Sequence, residues 1–254
     1  MEPILKVENL TKVFSRQGQE EFTAVKGISF DLLPRECLAI IGESGSGKTT
    51  AVNMISRLVD ATSGQITLNG QNITHLKGKG LRGGYRTMQM VFQTPADSFD
   101  PRRTLGDGIG ESLRNAGVSR KETRERVETL LEKCGLPREF ADRYPHQVSG
   151  GQCQRAAIAR ALAIEPKLLI CDEATSALDV TVQKEIIDLL KSLRARQGRN
   201  LSILFICHDI SLVQQFADRV LVMYHGRIVE EGTPDDVIRS PKNDYTKRLI
   251  DSIL

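Results

Sequence analysis

Apolar and polar residues alternate near the start of the chain, over residues 4–14 and again over residues 24–33. This period of two predicts two half-buried antiparallel strands joined by a polar loop. Later in the chain, the short apolar runs 168–171 and 201–207 flank a helical pattern at residues 182–196. Strands that alternate with helices in this way favour a parallel sheet.

The middle of the chain, from residue 104 to about residue 166, has apolar residues at helical spacing. We therefore expect one domain of 254 residues. Residues 1–95 and 166–254 would form an α/β core that includes an N-terminal antiparallel β-subdomain, and residues 96–165 an inserted helical subdomain. The stretch 77–84 is rich in glycine and lysine and is expected to be an exposed loop.

Composition excludes several classes of protein. The formal net charge is only +3 and the basic residues are dispersed, so no nucleic-acid partner is expected. No apolar run is long enough to span a membrane, and residues 1–3 lack the features of a signal peptide. The five cysteines form no C-x-x-C pair and are expected to be small buried hydrophobes of a cytosolic chain.

One stretch, from Gly42 to Thr49, fits the phosphate-binding pattern G-x-x-x-x-G-K-[ST] at every fixed position. It lies between the apolar run Cys37–Ile41 and a helical pattern at residues 50–58, which is the context that the pattern requires. The alternative is a glycine-rich turn that matches by chance. The residues expected to hold the phosphates are Gly42, Glu43, Ser44, Gly45, Ser46, Gly47, Lys48, Thr49 and Thr50.

Two acids, Asp172 and Glu173, end the apolar run that begins at residue 168. Ligands of parallel sheets gather at the carboxyl ends of the strands. Asp172 could hold Mg²⁺ through water, and Glu173 could polarise the attacking water. An apolar strand that ends in two acids is a weak signal alone, and it gains strength beside the phosphate loop.

A second glycine-rich stretch, Ser149, Gly150, Gly151 and Gln152, stands at the start of a predicted helix. Its backbone amides could form another anion site. One chain does not need two such sites for one nucleotide, whereas two chains placed head to tail would use both. The alternative is a helix N-terminus with Ser149 as its cap.

Together these motifs resemble the ATP-binding cassette of ABC transporters. The resemblance matches residues 42–49 to Walker A, Gln93 to the Q-loop, residues 148–152 to the signature motif, and Asp172 and Glu173 to Walker B. It also matches residues 176–179 to the D-loop, His208 to the switch histidine and Phe14 to the ring that stacks on adenine.

The resemblance implies a RecA-like P-loop core that binds ATP and Mg²⁺. It assigns catalytic roles to Glu173, His208 and Gln93, and Mg²⁺ contacts to Thr49, Gln93 and Asp172. It assigns ATP contacts to the loop residues above, Phe14, residues 149–152 and Asp179.

Residues 88–93 and 98–102, and the segment Asp244-Tyr245-Thr246, resemble the peptide/nickel importer subfamily. Thr94, Ala174 and Asp244 depart from its usual residues. The chain stops at residue 254 without the cysteine-rich tail of many peptide importers, which favours the nickel- or metallophore-type members.

This subfamily resemblance implies ATP-driven uptake of nickel, chelated metal or peptides. It implies a second identical or paralogous ATPase subunit, two separate permease subunits and an extracytoplasmic solute-binding protein. The chain would lie at the cytoplasmic face of the inner membrane, as a peripheral subunit. The alternatives are an exporter cassette, a soluble non-transport ABC ATPase and a P-loop kinase, which would leave residues 149–152 unexplained.

Overall fold

The computed structural model describes residues 2–15, 21–95, 98–174, 179–195 and 200–252. Its strands are β1 (Leu5–Phe14), β2 (Phe22–Leu32), β3 (Cys37–Ile41), β4 (Ser63–Leu68), β5 (Gln71–Asn72), β6 (Met88–Val91), β7 (Leu168–Asp172), β8 (Ser202–Ile206), β9 (Arg219–Tyr224) and β10 (Arg227–Gly232). Its helices are α1 (Lys48–Ile55), α2 (Gly78–Thr87), α3 (Leu105–Asn115), α4 (Arg120–Lys133), α5 (Gly150–Leu162), α6 (Val180–Ala195), α7 (Ile210–Phe216), α8 (Pro234–Arg239) and α9 (Asp244–Asp251).

The strands form two sheets. In the central sheet the order is β10-β9-β3-β8-β7-β6, and all pairs are parallel except β9 with β10. The other sheet is antiparallel, in the order β2-β1-β4-β5. The predicted α/β class and the two antiparallel N-terminal strands are confirmed. In the central sheet, the carboxyl ends of β3, β6, β7 and β8 share one edge.

The central sheet is covered on both faces, and alternate residues of β3 show how. Cys37, Ala39 and Ile41 pack into a cluster with residues of α3 to α7. Leu38 and Ile40 pack into the opposite cluster, with α1 and the antiparallel sheet. A strand that is buried on both faces has a nearly continuous apolar sequence. For this reason β3, β7 and β8 can be recognised from the sequence.

The expectation of an exposed loop at residues 77–84 is wrong, because residues 78–87 form α2. Glycine disfavours helix, so the composition hides this element. Leu81, Gly84 and Tyr85 lie three and four residues apart and are at least partly buried, while most other residues of α2 are exposed. Tertiary packing along this narrow face therefore overrides local propensity.

The five cysteines are buried and lie outside disulfide bonds, as predicted. No helix within the described ranges is both long enough and apolar enough to cross a lipid bilayer. Residues 105–162 contain α3, α4 and α5, whose apolar residues join one cluster with those of α6 and α7. The division of the chain at residues 96–165 into a subdomain remains a prediction.

Candidate nucleotide-binding site

The loop between β3 and α1 carries the phosphate-binding pattern, and its shape depends on Gly42. The φ angle of Gly42 is 144°, a conformation that residues with side chains rarely adopt. A Cβ atom at this position would lie 2.2 Å from the carbonyl oxygen of Met223 in β9. Helix α1 then begins at Lys48 without a side-chain cap, so its first amides are available to an anion.

Lys48 is curled inside this loop and is only 3% exposed. Its Nζ atom donates to the carbonyl oxygens of Gly42 and Glu43, at 2.8 Å each. Burial lowers the pKa of Lys48, while the nearby carboxylates of Glu173 and Asp172 act in the opposite direction. The loop therefore holds the positive charge of Lys48 at a fixed place.

Asp172 ends β7 beside this loop and is 7% exposed. Burial and the charge of Glu173 raise its pKa from 3.8 to about 6, and Lys48 opposes the rise. In the described part of the chain, its Oδ1 atom is buried and has no hydrogen-bond partner. A buried carboxylate oxygen in this state is suited to bind a cation, directly or through water.

A cleft of about 470 Å³ opens beside Asp172. Thr49 and Gln93, the other two predicted Mg²⁺ contacts, line the same cleft. Hydroxyl, amide and carboxylate oxygens are the ligands that Mg²⁺ prefers. The residues present therefore fit the ion, and Thr49, Gln93 and Asp172 would hold it.

The three predicted catalytic residues meet at Glu173. The Nε2 atom of Gln93, which lies two residues past the end of β6, donates to Oε2 of Glu173 at 2.8 Å. The Nε2 atom of His208, which follows β8, forms a short contact with Oε1 of Glu173. Glu173 has a φ of 48°, which is strained for a residue with a side chain.

The glycine-rich stretch before α5 behaves as a helix N-terminus within this chain. Ser149 caps α5: its hydroxyl accepts from the amide of Gln152 at 3.3 Å, and its own amide donates to the Gln152 side chain at 2.9 Å. A Cβ atom on Gly151 would lie 2.5 Å from Val182 in α6. Among the described residues, no hydrogen bond or ion pair joins residues 149–152 to the phosphate loop.

The comparisons with known proteins agree with this geometry. The family model described as "ABC transporter" matches residues 25–176 of the chain. The chain belongs to the ABC transporter family. The family prediction made from the motifs is thereby confirmed.

Two curated relatives of this ABC chain are the glutathione import ATP-binding proteins GsiA of Pectobacterium atrosepticum and of Escherichia coli K12. Each is 46% identical over 99% of the chain. The chain spans 41% of the length of either relative, so it corresponds to less than half of those proteins.

Solved structures of ABC cassettes have the same fold. The cassette MJ0796, in a dimeric structure bound to ADP and Pi, has 31% identity and a TM-score of 0.82, covering 91% of this chain and 98% of its own. The structure of cbiO1 from Clostridium perfringens, part of the ABC transporter complex cbiONQ, has 31% identity and a TM-score of 0.83. It covers 94% of this chain and 92% of its own.

The D-loop and the adenine ring are the two remaining parts of the ABC resemblance. Residues 176–178 of the expected D-loop fall outside the described residues, and Asp179 is exposed just before α6. Phe14 and Phe22 are cross-strand partners, 42% and 62% exposed, so either ring could stack on a base. Lys12 Nζ lies 5.0 Å from the centre of the Phe14 ring.

Residues outside the predicted motifs also shape the site. Asn53, one turn further along α1 than Thr49, lines the cleft near Asp172. The β9–β10 turn also contacts the phosphate loop, where the amide of Gly226 donates to the carbonyl of Ser46 at 2.9 Å. No local pattern marks these positions as part of a nucleotide site.

Replacing Asp172 by Asn should raise the melting temperature of the metal-free ABC chain in a pH-dependent way. The native pKa of about 6 exceeds the ordinary 3.8, so the native state binds the proton more tightly than the unfolded chain does. Stability from this group is present at low pH and is lost as pH rises through about 6. In thermal melts with EDTA, the increase in melting temperature caused by Asp172→Asn should therefore be small near pH 4 and largest near pH 7.5.

The exposed Asp188→Asn variant is the control, because Asp188 forms a surface ion pair with Lys191, at 3.8 Å. It should show no such pH-dependent gain. If Asp172→Asn raises the melting temperature equally at both pH values, the buried charge of Asp172 is not what destabilises the chain.

Proposed function

We propose that the chain is the ATP-binding subunit of an ABC importer and hydrolyses ATP with Mg²⁺ to drive uptake of a small solute. The strongest support is the cluster in which Gln93 and His208 both contact Glu173. This cluster lies next to Asp172 and the loop that holds Lys48. The relatives are named for glutathione import, and glutathione is a peptide, which favours a peptide-type solute over nickel or a chelated metal.

The geometry supports a separate role for each of these residues in ATP hydrolysis. The amides of the loop and the Lys48 ammonium would bind the β- and γ-phosphates. Glu173 would take a proton from the attacking water as its oxygen bonds to the γ-phosphorus and ADP leaves. Bound Mg²⁺ would supply charge neutralisation between the phosphates, held by Thr49, Gln93 and Asp172.

Both carboxylate oxygens of Glu173 have a partner. One accepts from Gln93 and the other contacts His208. Each carboxylate oxygen has a second lone pair, so Glu173 could accept a proton from water while these contacts remain. His208 would also contact the γ-phosphate, which would link nucleotide binding to the position of the base.

The capping role of Ser149 is compatible with a second role between subunits. A capped helix N-terminus still presents its first amides, and α5 begins with Gly150. We propose that Ser149, Gly150, Gly151 and Gln152 close the phosphate site of a second ATPase subunit, identical or paralogous. Two permease subunits and an extracytoplasmic solute-binding protein would complete the importer, with this chain peripheral at the cytoplasmic face of the inner membrane.

Replacing Glu173 by Gln should abolish turnover while ATP still binds. Loss of a general base costs on the order of 10²–10⁴-fold in rate. ATP hydrolysis by the assembled complex and equilibrium binding of ATP are the two measurements. The exposed Glu125→Gln variant on α4 is the matched control and should hydrolyse ATP normally. Turnover by Glu173→Gln close to that of the control would rule out Glu173 as the base.

Two substitutions at Ser149 should separate capping from closure of the partner's site. Ser149→Ala loses the cap and should lower stability by about 0.5–2 kcal/mol. Ser149→Asp keeps a capping acceptor but places a carboxylate against the partner's γ-phosphate. It should melt near the wild-type temperature yet lose most ATPase activity in the complex. Normal ATPase activity of Ser149→Asp would confine Ser149 to its capping role.

Phe14→Ala should weaken ATP binding by about 5- to 150-fold, since stacking on an aromatic ring contributes about 1–3 kcal/mol per base. Phe14→Tyr keeps the ring face and should be nearly silent. Phe22→Ala is the matched control on the paired strand, and affinities for ATP and GTP are measured with melts as a check of folding. If Phe22→Ala weakens binding and Phe14→Ala does not, the adenine platform is Phe22.

A further inference from the structure

The phosphate loop contacts the C-terminal part of the chain, which contributes the β9–β10 hairpin and α9. Strands β9 and β10 are joined by a two-residue turn, His225-Gly226, with φ angles of 45° and 79°. These are the positive values that a tight hairpin turn requires. The amide of Gly226 donates to the carbonyl of Ser46 at 2.9 Å, so the turn touches the loop directly.

The two residues just before helix α9 are hydrogen-bonded to this hairpin. The side chain of Glu230 in β10 accepts from the amides of Lys242 and Asn243, at 2.8 and 3.0 Å. Asn243 in turn caps α9 by accepting from the amide of Tyr245 at 2.8 Å. The ring of Tyr245 stacks on Tyr224, the last residue of β9, with centroids 3.9 Å apart and planes 24° apart.

Tyr245 is 5% exposed, and its hydroxyl reaches the phosphate loop. That oxygen accepts from the backbone amide of Glu43 at 3.0 Å, across 202 positions of sequence. Burial raises the pKa of Tyr245, so the hydroxyl is neutral at the pH of an ATP-binding experiment.

The amide of Glu43 and the carbonyl of Gly42 belong to one planar peptide group. The carbonyl oxygen accepts from Lys48 Nζ at 2.8 Å. Tyr245 therefore holds the N–H side of the peptide whose C=O side holds the lysine. These two hydrogen bonds, one on each side of the peptide, help to fix its orientation beside Gly42, whose φ is 144°.

We propose that Tyr245 is a positioning residue for nucleotide binding, whose hydroxyl fixes the Gly42–Glu43 peptide so that Lys48 is set for phosphate. The inference rests on the proposed binding of ATP at this loop. Tyr245 lies outside residues 25–176, the part of the chain that the family model matches. The phosphate loop is thus contacted by a residue from beyond the matched segment.

Tyr245→Phe tests the inference, because it keeps the stacked ring and removes only the hydroxyl. Loss of one hydrogen bond that sets the lysine should weaken Mg·ATP binding by about 2- to 12-fold. Tyr224→Phe is the matched control: it changes the other ring of the stack, whose hydroxyl has no hydrogen-bond partner in the described part of the chain. Affinities of the full chain are measured by titration with a fluorescent ATP analogue, below the melting temperature of each variant.

Amide hydrogen exchange of a peptide covering Gly42 to Gly47 supplies a second readout. Without nucleotide, it should be faster in Tyr245→Phe than in wild type and unchanged in Tyr224→Phe. Wild-type affinity together with wild-type exchange in Tyr245→Phe would overturn the inference, and so would equal weakening by both variants. Failure of the wild-type chain itself to bind Mg·ATP would instead overturn the proposed function.

Discussion

The burial of one positive charge, the ammonium group of Lys48, governs the construction of this site. A buried cation needs acceptors around it, and the loop supplies the carbonyl oxygens of Gly42 and Glu43. That path of the backbone is open only to glycine at position 42, with the carbonyl of Met223 against it. The loop, β9 and the lysine therefore depend on one another, and the arrangement is ready for an anion.

The parallel sheet places the remaining chemistry around this charge. Strands β6, β7 and β8 end at the same edge as β3, and the residues just beyond them are Gln93, Glu173 and His208. Their hydrogen bonds bring three distant stretches of sequence to one carboxylate. Asp172, one residue earlier, is buried, and its Oδ1 atom has no hydrogen-bond partner among the described residues. Burial and the charge of Glu173 raise its pKa.

The sequence predicts the parts of the site that depend on local pattern. The glycine-rich loop and the buried strands beside it have fixed residue types at fixed spacing, so their local structure was expected correctly, while phosphate binding by the loop remains a prediction. Helix α2 was missed because glycines conceal a narrow packed face. Ser149 remained ambiguous, since a helix cap and an anion site use the same residues. The contact of Tyr245 with Glu43 joins positions 202 residues apart, and no single-sequence pattern reports a contact that depends on how α9 packs.

The central claim is that the loop from Gly42 to Thr49 holds the phosphates of ATP through Lys48. The most direct test is equilibrium binding of Mg·ATP to wild-type chain, to Lys48→Ala and to the control Lys79→Ala on the exposed helix α2. The account predicts saturable binding to the wild type and to Lys79→Ala, and a loss of affinity in Lys48→Ala, because a charge-assisted contact with the most negative part of the ligand is removed. Equal affinity of all three proteins would contradict it.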